Sequence, residues 1–163
     1  MFQIGDKVVH PMHGAGIIDD IVSERVGPTS QDYYVFKMPV GGLVLKIPTA
    51  KSKMVGLRDV VDTGEISQLL EAIPALASEM NSNWNHRYRE NMERIKSGNL
   101  YEVARVIKGL KGREKEKGLS TGERKMLQTA KRILISEIVL TEQVDYEAVE
   151  TRVDCAMTQE AAV

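Results

Sequence analysis

Close to residue 60 the spacing of apolar residues changes from every second position to every third or fourth, and any fold must satisfy both rhythms. Before that point the chain reads as strands. Lys7–His10 (KVVH) leads through the turn Pro11-Met12-His13-Gly14-Ala15-Gly16, where Gly14 and Gly16 supply tight-turn geometry, into Ile17–Val22 (IIDDIV). A polar loop with Gly27 and Pro28 follows. Tyr33–Met38 (YYVFKM) then meets Leu43–Ile47 (LVLKI) across Val40-Gly41-Gly42, and paired glycines suit the positive φ of a hairpin turn. Pro48 limits further strand, and Met54–Leu57 reads as a last short one. Five short strands in so few residues predict a small barrel, SH3-like or Tudor-like.

Beyond Arg58 the period is that of helices. Glu65–Ile73 reads as a short helix stopped by Pro74, and Ser82 or Asn83 can cap a helix that runs to about Lys96 before Ser97-Gly98. Asn99 caps the next, whose Leu100, Val103, Ile107 and Leu110 share one face. Ser120 and Glu123 form a capping box ahead of a helix with a stripe of Met126, Leu127, Ala130, Ile133, Leu134 and Ile138. A final amphipathic helix is expected over about Glu142–Met157, using Val144, Ala148, Val149 and Val153. The expectation is an α+β chain. Residues 1–60 form the small β-barrel, residues 61–163 an all-helical domain with a frayed tail at about 158–163, and the boundary falls near Asp59–Thr63.

The composition, 42% hydrophobic and 28% charged, is that of a soluble globular chain. No apolar run reaches the roughly 20 residues of a membrane span, and MFQIGDK lacks the regions of a secretory signal. The single Cys155 forms no internal disulfide, which suits a reducing cytoplasm. The net charge of −1 conceals an uneven distribution. Residues 1–60 carry +1, residues 61–79 −4, residues 80–140 +7 and residues 141–163 −5. The basic middle suits a polyanion, or a solvated helix surface laced with ion pairs.

Enzyme chemistry finds no constellation. His10 and His13 flank a turn with no Cys or carboxylate at ligand spacing, so they read as turn histidines, not metal ligands. His13-Gly14-Ala15-Gly16 faintly resembles an oxyanion-hole loop, but no G-x-S-x-G elbow, phosphate loop or dinucleotide fingerprint accompanies it. Cys155 has no histidine near it in sequence and reads as a buried structural thiol. No metal, cofactor or small-molecule substrate is expected.

Binding remains. The only tryptophan, Trp84, stands among asparagines, a histidine and arginines. At 100° per residue Trp84, Tyr88, Met92 and Ile95 fall within about 80° of one another, which suits a core-facing stripe. Arg87 and Arg94 flank that stripe on one side, Arg89 and Lys96 on the other. Trp84 also lies in the first helical turn, where an aromatic beside arginines suits a wedge into a minor groove or a stack on a single strand. From the residues alone, core and wedge both remain open. A second basic run, Lys108 to Lys117, and Arg124, Lys125, Lys131 and Arg132 extend the cationic region.

Taken in order, FQIGDKVVHPMHGAG, YYVFKM with LVLKIP, VGLRDVV, NWNHRYRENMERIKSGN, EVARVIKGL and KGLSTGERKMLQTAKRILISEI resemble the CarD/CdnL family of bacterial RNA polymerase-binding transcription regulators over nearly the whole chain. The resemblance implies a Tudor-like N-terminal domain that binds the polymerase β subunit through positions matching Arg25, Val26, Lys46 and Ile47. It implies a helical domain that contacts promoter DNA just upstream of the −10 element, with Trp84 wedged in the minor groove at the upstream edge of the melted bubble. That act would stabilise the open complex. Arg87 and Arg89 match the basic positions beside the wedge. Asn83, His86, Arg94, Lys125 and Arg132 complete the expected DNA-facing set. Two positions depart from the family's pattern: His10 stands where tyrosine is common and His86 where arginine is common. The latter removes a permanent charge beside the wedge. Transcription-repair coupling factors share the N-terminal module, but this chain carries no helicase motor. The implied place of action is the cytoplasm, on the nucleoid through polymerase. The rival expectation is a protein-interaction adaptor that uses the barrel and keeps Trp84 in the core. A nucleoid-binding protein independent of polymerase is a third.

Overall fold

The computed structural model describes residues 1–159; of the expected frayed tail, residues 160–163 lie outside the described residues. The N-terminal half is one antiparallel sheet of β1 (Lys7–His10), β2 (Gly14–Val26), β3 (Thr29–Lys37), β4 (Val44–Pro48) and β5 (Arg58–Asp59), in the order β4-β3-β2-β1-β5. The sheet is Tudor-like, with β4 and β5 as its two edges. Period-two alternation puts Tyr34 and Phe36 inside, and Ile47 pairs opposite Tyr34. With Val8, Ile18, Met38 and Leu57 they make the sheet's core. Gly41 and Gly42 both take positive φ (84° and 69°) in the β3–β4 connection, as the paired glycines require.

Three sequence expectations are corrected here. Residues 23–32 are mostly strand, not loop: β2 and β3 stay paired to Val26↔Thr29, so a two-stranded arm projects beyond the core with mostly exposed side chains. Met54–Leu57 is not a strand. Ser52–Val55 forms a one-turn helix, α1, closed by Gly56 at φ 94°, and the last strand is Arg58–Asp59, paired with Val8 and Val9 of β1. Finally, Gly14 and Gly16 lie in β2, beyond the turn. Gly14, at φ 115°, lies where a Cβ would collide with the Ser136 hydroxyl and press on the Ile133 backbone. It lets two parts of the fold meet.

The second half contains α2 (Thr63–Ala72), a 3-10 turn at Ile73–Ala75, α3 (Trp84–Lys96), α4 (Leu100–Lys117), α5 (Thr121–Glu142) and α6 (Tyr146–Thr158). The caps follow local chemistry. Asn83 Oδ1 accepts from His86 N–H, Asn99 Oδ1 from Tyr101 and Glu102 N–H, and Ser120 Oγ from Glu123 N–H. Asp62 caps α2 in the same way, through Glu65 N–H. The last helix starts later than expected, because α5 continues to Glu142 and ends on Gln143 in the left-handed region. Val144 and Ala148 are therefore exposed, while Val149, Val153, Ala156 and Met157 face the bundle. Cys155 is exposed, not buried.

Helix α5 also seats the sheet. Val9 and Ala15 pack on Leu140. Ala15 N–H donates to Ser136 Oγ at 2.9 Å, and Lys7 Nζ donates to the Leu140 carbonyl at 2.9 Å. Glu137, fully buried, accepts two bonds from the Arg58 guanidinium, each 2.8 Å, and a third from Val61 N–H. Losing one partner of such a buried pair costs about 3–5 kcal/mol, so the two halves are fixed to each other through α5. Among the described residues no helix is long and apolar enough to cross a membrane.

Candidate nucleic-acid interface

The bundle side of α3 is formed by Arg87, Asn91 and Ile95, one helical face of spacing four. Trp84 lies outside that face. It is 44% exposed, its ring stacks on Tyr88 at 5.1 Å between centroids, and its Nε1–H donates to Ser120 Oγ at 3.1 Å. A Cβ at Gly122 would lie 4.0 Å from the indole, so the start of α5 forms a close seat for the ring. The expectation that places Trp84 in the core is corrected: the stripe is split, with Ile95 inside and Trp84 at its open end.

What holds the indole is a chain of polar contacts. Ser120 Oγ accepts from Trp84 and from Glu123 N–H and donates to Glu123 Oε1 at 3.1 Å. The Glu123 carboxylate accepts from Arg87 at 2.8 and 3.2 Å. The remaining Arg87 nitrogen donates to the carbonyls of Asn81 and Ser82, the residues leading into α3. The bond from Arg87, opposed by burial and helped by Ser120, holds the Glu123 carboxyl below its ordinary value. Arg87 is 2% exposed. It does not face solvent, so the expectation that it holds a phosphate is corrected: its guanidinium is spent inside the protein, where it braces the segment that carries Trp84.

The other expected residues divide by place. His86 and Arg89 are exposed on the first two turns of α3, and Arg124 and Lys125 on the first two turns of α5, the two helix starts that hold the ring. Asn83 is exposed but uses its side-chain oxygen as the α3 cap. Arg94 sits lower on α3, half-buried against Asn91 and Glu102. Arg132 is not beside Trp84; it lies at the middle of α5, where it lines a groove together with His13. Part of the basic run is likewise structural. Lys108 Nζ donates to the carbonyls of Ile73, Pro74 and Leu76, Lys111 pairs with Asp154, and Lys131 with Glu150 and Asp154.

On the sheet, Arg25 and Val26 end the projecting arm and are exposed. Lys46, on the edge strand β4, is exposed and pairs with Glu24. Ile47 is 5% exposed. Its side chain belongs to the core, and only its backbone on the edge strand can meet a partner. His10 and His13 lie with their rings 4.6 Å apart, and His10 Nδ1 accepts from Met12 N–H, as a neutral turn imidazole does. Burial, with the neighbouring His13, lowers His10 to about 4. Among the described residues no group of three or more His, Cys, Asp or Glu could hold a metal ion.

Ser120, Glu123, Tyr88 and Gly122 are the site residues that sequence reasoning missed. The capping box announces Ser120 and Glu123 as a helix start, but nothing local shows that a residue 36 positions earlier shares them.

The domain described as CarD-like/TRCF RID matches residues 2–61, and that described as CarD, C-terminal matches residues 68–154. The chain is 38% identical over 138 residues to a protein of Bacillus subtilis (strain 168) named "Putative transcription factor YdeB", an alignment that covers 85% of this chain and 90% of that one.

Proposed function

The chain belongs to the CarD family, and from that premise we propose that it is a transcription regulator that docks on the RNA polymerase β subunit and holds promoter DNA open with Trp84. Residues 1–60 do the docking, through Arg25, Val26, Lys46 and the edge backbone at Ile47. An unpaired strand edge accepts a partner strand, and the flanking charges set its register. Residues 61–163 meet the duplex just upstream of the −10 element. It acts in the cytoplasm, on the nucleoid, as far as polymerase carries it there.

The observation that carries this reading is the half-open indole, stacked on one side and tied by its N–H on the edge. A core tryptophan would not be left open, and a loose surface one would not be held by a buried ion pair. A ring fixed in this way loses little freedom on binding, so its stacking goes into the contact. His86, Arg89, Arg124 and Lys125 meet phosphates around it, which gives weak, salt-sensitive affinity. Docking on polymerase raises the local concentration of the wedge to the order of millimolar. Stacking is worth roughly 1–3 kcal/mol, and 1.4 kcal/mol is about a factor of ten in lifetime.

The test is open-complex half-life at a promoter that depends on the protein. Trp84→Ala is expected to shorten it about tenfold while capture by a β-subunit fragment stays unchanged. Lys46→Glu is expected to remove that capture. An unchanged half-life for folded Trp84→Ala refutes the wedge.

A further inference from the structure

A groove of about 450 Å³ opens where the β1–β2 turn, the β3–β4 connection and α5 meet. Its walls are apolar: Met38, Val40, Leu43 and Val44. Its titratable side chains are Arg132 of α5 and His13. Arg132 is half-buried, yet among the described residues it makes no hydrogen bond or ion pair. Of the other half-buried cations of this bundle, Lys131 and Lys111 are engaged by acidic side chains of α6 and Lys108 by three carbonyls, whereas Arg113 of α4 shares the unpaired state of Arg132 but lines no groove beside a strand edge. The Arg132 nitrogens still reach water, unlike Arg105 Nε and Arg113 Nε, so the guanidinium stands at the groove wall with its donors free for a ligand's acceptor. Burial, and then the charge of Arg132, hold the His13 imidazole below its ordinary value, so Arg132 is the groove's permanent cation. The groove ends at Val44, which is exposed and is the first residue of the edge strand β4.

We propose that this groove receives the end of an extended acidic peptide segment paired along β4, with an apolar side chain against Leu43 and Val40 and a carboxylate on Arg132. The inference rests on the docking reading above and gives the docking partner its chemistry: strand, then apolar residue, then Asp or Glu. A fork of two N–H donors matches a carboxylate, and enclosure in apolar walls strengthens the bond. DNA fits the groove poorly, because a phosphate backbone offers nothing to the apolar walls. Arg132 thereby leaves the DNA-facing set and joins the protein-facing one.

The experiment is equilibrium binding of the full chain to a purified β-subunit fragment and, separately, to a 30-base-pair duplex, with the thermal midpoint recorded for each variant. Arg132→Ala is expected to weaken fragment binding about tenfold, and Arg132→Glu more, since a charge-assisted pair is lost and then reversed. Arg132→Lys keeps the charge without the fork and should fall between. Duplex binding should remain within about twofold of the parent. If the Arg132 variants bind the fragment as the parent does while Lys46→Glu does not, the inference fails and the docking reading stands. If they lose duplex binding instead, Arg132 is a phosphate contact and the inference is overturned. If the parent chain itself does not bind the fragment, the docking reading falls and takes the inference with it.

Discussion

Arg87 donates from Nε and Nη2 to the two carboxylate oxygens of Glu123, at 2.8 and 3.2 Å, with both side chains shut away from water. The pair joins α3 to the start of α5 and, through Ser120, holds the indole of Trp84. Its removal is expected to be felt twice. Glu123→Gln leaves Arg87 buried beside a neutral partner, and the loss of folding stability should be about 3 kcal/mol or more, read as a fall in the urea midpoint. Quenching of indole fluorescence by acrylamide should rise in the same variant under native conditions, because the ring loses its anchor.

Trp84 itself contributes little to the fold. Trp84→Ala gives up one stacked ring contact and one indole hydrogen bond, together roughly 1–2 kcal/mol. Trp84→Phe keeps the stack on Tyr88 and gives up the hydrogen bond. Stability should rank parent, Phe, Ala over a narrow range, while open-complex half-life should drop steeply between Phe and Ala. Urea denaturation and a half-life assay on the same preparations check both.

Acid should act in two windows. Burial and His13 hold His10 near 4 in the folded chain, against 6.5 in the unfolded one. The unfolded chain therefore takes up that proton first, and stability declines as pH falls from about 6.5 towards 4. Glu123 is held below its ordinary value of 4.5. Its contribution is complete above that value and is lost as pH falls through the lower, folded one. His13, also held below its ordinary value, acts in the same upper window, so His10→Gln is expected to shrink that window without abolishing it and to leave the lower one unchanged, and a series of thermal midpoints from pH 7.5 to 3 would show it.

Gly14→Ala should be among the most damaging single-methyl changes. The backbone there has φ 115°, and the new Cβ meets the Ser136 hydroxyl. Ser136 already accepts from Ala15 N–H, so it cannot move away without leaving that donor unmet. A loss of roughly 2–4 kcal/mol follows from strain and overpacking combined. The chemical-denaturation midpoint measures it.

Features set by neighbours in the chain were readable before any coordinates. Asn83, Asn99 and Ser120 cap helices because a short polar side chain can reach its own first turn, and Tyr34 and Phe36 face inward because strands alternate. What stayed hidden depends on distant partners. Arg87 reads as a surface cation until Glu123, 36 residues on, is folded against it. Arg58–Asp59 shows no apolar alternation, because β5 is a two-residue edge held by pairing with β1 and by Glu137. The end of α5 carries no glycine signal, since Gln143 takes the left-handed position itself. Exposure of Trp84 was undecidable from spacing, as the same stripe holds Ile95 inside.

Helix α5 bears Gly122 and Glu123 at one end and Ser136, Glu137 and Leu140 at the other. Its 22 residues make a rod about 33 Å long at 1.5 Å per residue. On the proposed docking, one unbroken strut sets how far the indole stands from the polymerase surface. Such a protein behaves like a calliper locked at a single opening: it serves promoters whose melted edge falls at that reach, and inserting one base pair there should abolish its effect while leaving its attachment to the enzyme intact.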